Sequence, residues 1–193
     1  MDGTPSSQER SGQGADTVRL FAAVELPDVL RSQLAGLQKD FPGIRWTAPE
    51  NMHLTLRFIG EVGRKEADRA RAVLRKVRVA PFVVCLRGLG LFERRWQTVL
   101  WASLEHSAPL LDLKRQADAK LAEAIGLRTE QGSFAPHITL SRIRTGISAV
   151  LREQAAGHAF AGERFAVESF TLFSSVLSST GASHAPLERY LLQ

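Results

Sequence analysis

The chain has 193 residues, 44% apolar and 23% charged, enough for one globular domain with a sizeable core. A formal net charge of +5 favours an anionic partner, either nucleic acid or a small phosphate ester. One cysteine rules out an internal disulfide and a cysteine-rich zinc site, and no apolar run is long enough for a membrane span or a signal peptide, so a cytoplasmic protein is expected.

Residues 1 to 16 are rich in Ser, Gly, Gln and charge without apolar periodicity, and read as a disordered tail before a single two-lobed domain over 17–193. Val18 to Leu26 reads as a strand. Pro27-Asp28 breaks it and opens a helix from Val29 to Lys39, with Leu30, Leu34 and Leu37 at helical spacing, which Pro42-Gly43 ends. Ile44 to Thr47 is a short strand candidate and Ala48 to Asn51 a loop. A strand beginning at His53 follows, then a turn over Gly60 to Gly63. Arg64 to Arg78 reads as a helix with Ala67, Ala70, Val73, Leu74 and Val77 inward, and Pro81 to Leu89 as a strand holding Cys85, an inert thiol. After a loop at Glu93-Arg94-Arg95 the order repeats: strand Thr98 to Leu104, helix Ala108 to Ile125, and a strand from His137. A helix over Gly146 to Gly157 and strands over Phe165 to Leu172 and Leu187 to Leu192 complete the chain.

The repeat is carried by His53-Leu54-Thr55-Leu56 and His137-Ile138-Thr139-Leu140, 84 residues apart. Alternation puts the His and Thr of each copy on one strand face. Each half reads strand, helix, His-x-Thr strand, helix, strand, so an internal duplication is expected, with pseudo-twofold packing bringing the motifs together. Two imidazoles near neutral pH can supply a neutral base and a cationic acid, which is what attack on a phosphodiester without metal requires. Two Thr hydroxyls and an arginine can bind the non-bridging oxygens. Arg57 shares the strand parity of His53 and Thr55 and so can face the cleft. Arg142 has the opposite parity and reaches it only if the strand ends or bulges near Ser141.

Other chemistries find little support. There is no His-Glu-x-x-His, no paired Cys, no acidic cluster beside either motif and no phosphate-binding Gly-Lys loop, and Gly88-Leu89-Gly90 is too short for a dinucleotide fingerprint. Phe92, Trp96 and Trp101 can either stack a base or pack in the core. His106, His158 and His184 lack a Thr partner and read as surface residues.

The sequence resembles the 2H phosphoesterases, and among them the RNA 2′,3′-cyclic phosphodiesterases, also called 2′-5′ RNA ligases. Besides the motifs, the likeness covers Arg19 to Val24, Arg45-Trp46, Asn51 to Glu61, Gly88 to Phe92, Val99 to Trp101 and Phe134 to Arg142. The resemblance implies catalytic roles for His53 and His137, phosphate binding by Thr55 and Thr139, and a substrate contact from Arg142, the fifth residue after the second His. Where the family tends to carry an aromatic near the C-terminus, this chain has His184. The implied fold is α+β, with two antiparallel sheets facing a central cleft and helices outside. The implied activity is hydrolysis of RNA 2′,3′-cyclic phosphate ends to 2′-phosphomonoesters, with no metal and no cofactor. Reversible ATP-independent 2′-5′ ligation, hydrolysis of another cyclic nucleotide ester, or a non-catalytic RNA-binding module are the alternatives. The expected partner is RNA with such an end or a small cyclic nucleotide, the expected form a monomer away from membranes.

Overall fold

The computed structural model describes residues 17–41, 44–128, 130, 133–144, 146–178 and 181–193; the expected tail over residues 1 to 16 and the Pro42-Gly43 stop lie outside them. The chain is α+β. In order it runs β1 (Thr17–Glu25), α1 (Asp28–Gly36), β2 (His53–Gly63), α2 (Arg64–Leu74), β3 (Phe82–Arg94), β4 (Gln97–Leu104), α3 (Ala108–Ile125), β5 (His137–Ile143), α4 (Ala149–Gly157), β6 (Arg164–Val167), β7 (Ser169–Ser178) and β8 (Gly181–Leu191).

All pairings are antiparallel, in the order β6-β3-β4-β5-β2-β1-β7-β8. The two expected sheets are therefore the halves of one strongly curled sheet, β5-β4-β3-β6 and β2-β1-β7-β8. They join through one residue pair, Leu54 opposite Ile138. Each of these follows its motif histidine directly, so equivalent residues meet at the centre, as a twofold relation between duplicated halves demands. The halves also exchange a strand. β3, encoded in the first half, pairs with β4 of the second, and β7 pairs with β1 of the first.

Local sequence explains most element ends. For α3, the Ser107 hydroxyl accepts from the Leu110 N–H, Pro109 sits in the first turn, and Gly126 closes the helix in the left-handed conformation at φ 66°. Ser148 caps α4 in the same way. The turn expected at Gly60 to Gly63 is instead the end of β2, and α2 starts directly behind it with the Gly63 N–H donating to the Glu66 carboxylate. That helix stops at Leu74, short of the expected Arg78, and α1 gives way to a 3₁₀ turn over Leu37–Asp40. The strand expected over Phe165 to Leu172 is two strands. β6 pairs with β3 on one edge, and β7 crosses to pair with β1 and β8. An alternating pattern runs through both, so periodicity cannot mark a change of sheet half. β8 starts at Gly181 rather than near Leu187 and contains Pro186, which an edge strand tolerates.

The core lies between the helices and the far side of the sheet. Leu54, Leu56, Ile138 and Leu140 all point into it, together with Leu74 from α2 and Leu110, Leu113 and Leu121 from α3. α2 packs on α3, β1 and β2, α3 on β2 and β3, and α4 on β3. The opposite side is the concave face that carries the motif histidines.

Candidate active site

Each motif strand bulges at the same place. On β2 the extra residue is Leu56, which opens a register shift against Ala22 and Ala23 of β1. On β5 it is Leu140, against Leu100 and Trp101 of β4. A bulge reverses the facing of the residues that follow it, on β2 as far as a second register shift at Ile59. The fourth residue after each histidine, Arg57 or Ser141, is buried beside its leucine, and the fifth, Phe58 or Arg142, turns out to the cleft. Arg142 thus reaches the cleft as the bulge allows. The parity reading of Arg57 is overturned, because it points away, toward α3.

The cleft has a volume of about 980 Å³ and is lined by His53, Thr55, His137, Thr139 and Arg142, which come together as expected. Arg19, Arg45 and Arg144 line it as well, and among the described residues no Asp or Glu does. Four arginines on its wall make a field suited to phosphate. The far rim is the segment before the first motif. Thr47 N–H donates to the Leu140 carbonyl at 2.7 Å, Ser141 Oγ to the Arg45 carbonyl at 2.7 Å, and Trp46 bridges Ser141. This bridge is what becomes of the predicted strand at Ile44 to Thr47.

The two imidazoles are held alike. His53 Nδ1 lies 2.8 Å from the Asn51 carbonyl, and His137 Nδ1 lies 2.9 Å from the Ala135 carbonyl. A carbonyl only accepts, so Nδ1 carries the proton in each ring and Nε2 is left for chemistry. Each ring also rests on aromatics from the two strands beyond its own. Phe21 of β1 lies 4.9 Å from His53 and stacks at 5.1 Å on Phe173 of β7. Trp101 of β4 and Phe92 of β3 stack at 4.5 Å and lie 5.9 and 5.2 Å from His137. Gly90 makes room for this platform, since a Cβ there would lie 2.4 Å from the Trp101 ring. Phe92 and Trp101 therefore support an imidazole, whereas Trp96 is exposed at the β3–β4 turn.

His184 is corrected from surface residue to cleft residue. On β8 it stands edge-on to His53 at 5.3 Å and to Phe21 at 4.8 Å. Its place opposite Ser175 of β7 was hidden because β8 begins earlier than its apolar pattern shows. His106 is exposed and His158 packs on Phe160 at 4.9 Å, neither lining the cleft. Cys85 is half-buried and free.

Burial pushes His53 down from 6.5 to about 4, with the neighbouring His184, Arg142 and His137 adding to the shift and the Asn51 hydrogen bond opposing it. Burial lowers His137 too, again helped by Arg142 and opposed by the Ala135 hydrogen bond. Both rings are thus neutral at pH 7 in the free protein. The unfolded chain binds a proton at His53 near 6.5 that the folded chain refuses until about 4. Stability from this group is full above that window and falls as pH drops through it. In urea titrations at about pH 7 and pH 5, the wild type is expected to lose more stability than His53→Gln; an equal loss would contradict the buried neutral ring.

Arg57, only 3% exposed, donates to the Arg128 carbonyl and lies 3.6 Å from Asp118 and 3.4 Å from Glu130. Lys114 of α3 holds the same carboxylates at 2.6 and 2.9 Å. This network ties the segment before the second motif, which supplies the Ala135 carbonyl, to β2 and α3. No group of three or more His, Cys, Asp or Glu among the described residues is placed to hold a metal ion.

The family model "LigT like Phosphoesterase" matches residues 24–101. The RNA 2′,3′-cyclic phosphodiesterase of Thermus thermophilus is 30% identical over 186 residues, covering 91% of each chain. That of Archaeoglobus fulgidus is 28% identical over 180 residues, 88% of this chain and 98% of its own. Among solved structures, LigT of E. coli superimposes with a TM-score of 0.79 at 27% identity, over 92% of this chain and 98% of that one. The same protein has been crystallised with 3′-AMP, and that structure gives a TM-score of 0.78 at 28% identity over 91% and 98%.

Proposed function

The chain belongs to the LigT-like phosphoesterases and is a phosphodiester hydrolase, and we propose that it opens 2′,3′-cyclic phosphate ends of RNA to 2′-phosphomonoesters by paired histidine catalysis. The observation that carries this reading is the pair of equivalent imidazoles in one arginine-lined cleft, each with Nδ1 on a carbonyl. The relatives' names support the RNA substrate.

In the proposed step a water oxygen attacks phosphorus while the neutral Nε2 of one histidine takes its proton. The P–O3′ bond breaks, and the other histidine, protonated, gives its proton to O3′. The phosphate stays on O2′, and proton exchange with water resets both rings. Thr55, Thr139 and Arg142 hydrogen-bond the non-bridging oxygens, whose charge grows in the transition state. Since burial keeps both rings neutral in the free protein, the anionic substrate itself favours the cationic ring by Coulomb attraction.

The test is an oligoribonucleotide with a 2′,3′-cyclic phosphate end, incubated with the protein and EDTA. A 2′-phosphate product is expected. A 3′-phosphate product would overturn the regiochemistry, and loss of turnover in EDTA would overturn the metal-free mechanism.

A further inference from the structure

A second cavity, about 860 Å³, meets the cleft at Thr55, Phe58 and His137 and runs outward beside α3 and the segment before the second motif. Its character is different. Phe58, Phe92 and Phe134 line it with Leu111, Ala119 and Ala122 of α3. The cations at its wall are engaged, Lys114 by Asp118 and Glu130 and Arg115 by Asp112 at 2.5 Å. The cleft wall carries arginines; this cavity offers aromatic and aliphatic surface with its charges balanced.

The duplication shows where the difference arises. Phe58 holds in the first motif the position that Arg142 holds in the second, the fifth after the histidine and beyond the bulge. Phe58 as a residue is 53% exposed. A flat uncharged group attached to a phosphate chain fits both surfaces at once.

We propose that this cavity is a second nucleobase subsite, taking the base of the nucleotide that adjoins the one carrying the cyclic phosphate, while the cleft arginines hold the linking phosphate. The proposal rests on the phosphodiesterase reading above. It makes the protein an enzyme for chain ends rather than for free cyclic mononucleotides, because stacking adds affinity that a mononucleotide cannot collect.

The experiment compares turnover of adenosine 2′,3′-cyclic phosphate with that of the dinucleotide UpA ending in the same cyclic phosphate, and the affinities of the two matching 2′-phosphate products. The wild type is expected to favour the dinucleotide by about tenfold or more in both kcat/KM and Kd. Phe58→Ala and Leu111→Gln are expected to abolish that preference, with Leu111→Gln keeping wild-type turnover of the mononucleotide. Equal treatment of the two substrates by wild type, or a preference that survives both substitutions, overturns the subsite and leaves the cyclic phosphodiesterase reading standing. Absence of turnover on both substrates defeats that reading instead, and the product affinities then decide the subsite by the same criterion.

Discussion

Glutamine in place of His53 or His137 is expected to lower turnover of a cyclic-ended oligoribonucleotide by about 10²–10⁴-fold, the usual contribution of one general acid or base. With Nδ1 held by a carbonyl, each ring keeps Nε2 for proton transfer, and the amide of glutamine neither takes nor gives a proton in this pH range. Glutamine also keeps most of the volume that rests on Phe21 and Phe173, or on Trp101 and Phe92, so the platforms are not emptied. The double substitution is expected to be little worse than the weaker single one, because an acid and a base that act in one step do not contribute independently. Single-turnover rates, with urea midpoints as the folding control, check this. A well-folded single variant within about threefold of wild type would remove that histidine from the chemistry.

Methionine in place of Arg57 is expected to destabilise the fold by about 2 kcal/mol, the cost of leaving a buried acceptor, the Arg128 carbonyl, without its donor. The charge term adds little because Lys114 still holds both carboxylates at 2.6 and 2.9 Å and the Glu130 side chain is 46% exposed. For a chain of this size that corresponds to a fall in Tm of roughly 4–8 °C. The segment that Arg57 anchors at the Arg128 carbonyl leads to the Ala135 carbonyl that orients His137. Turnover at a temperature where the variant is fully folded is therefore expected to fall as well, in kcat more than in KM. An unchanged Tm would show that the network contributes nothing net, and an unchanged kcat would separate it from the orientation of His137.

What could be read in the chain follows from how local each signal is. The ends of α3 are written in Ser107, Pro109 and Gly126, residues that act within one turn of themselves, and the helix is found where they put it. The motif faces were legible as far as the third residue after each histidine and no further. A bulge is a relation between two strands, so alternation along one of them cannot disclose it. The repeat itself could have disclosed it, since Arg57 and Ser141 share one offset, as do Phe58 and Arg142, and duplicated strands must turn equivalent residues the same way. Placing Arg142 at the substrate already placed Arg57 behind the sheet. His184 carried no such signal, because its nearness to His53 depends on the pairing of β7 with β1 and β8, and Pro186 masks its strand.

The exchange of β3 and β7 between halves has a bearing on how the protein comes apart. Neither half of the chain contains the strands needed to complete a sheet of its own, so neither can stay folded while the other opens. Heat or denaturant should dismantle the molecule as one cooperative unit, with most of its stabilising contacts joining residues distant along the chain. The proposed acid and base then share one fate. No partly opened form keeps one histidine in its setting while exposing the other, and every molecule is either equipped with both or with neither.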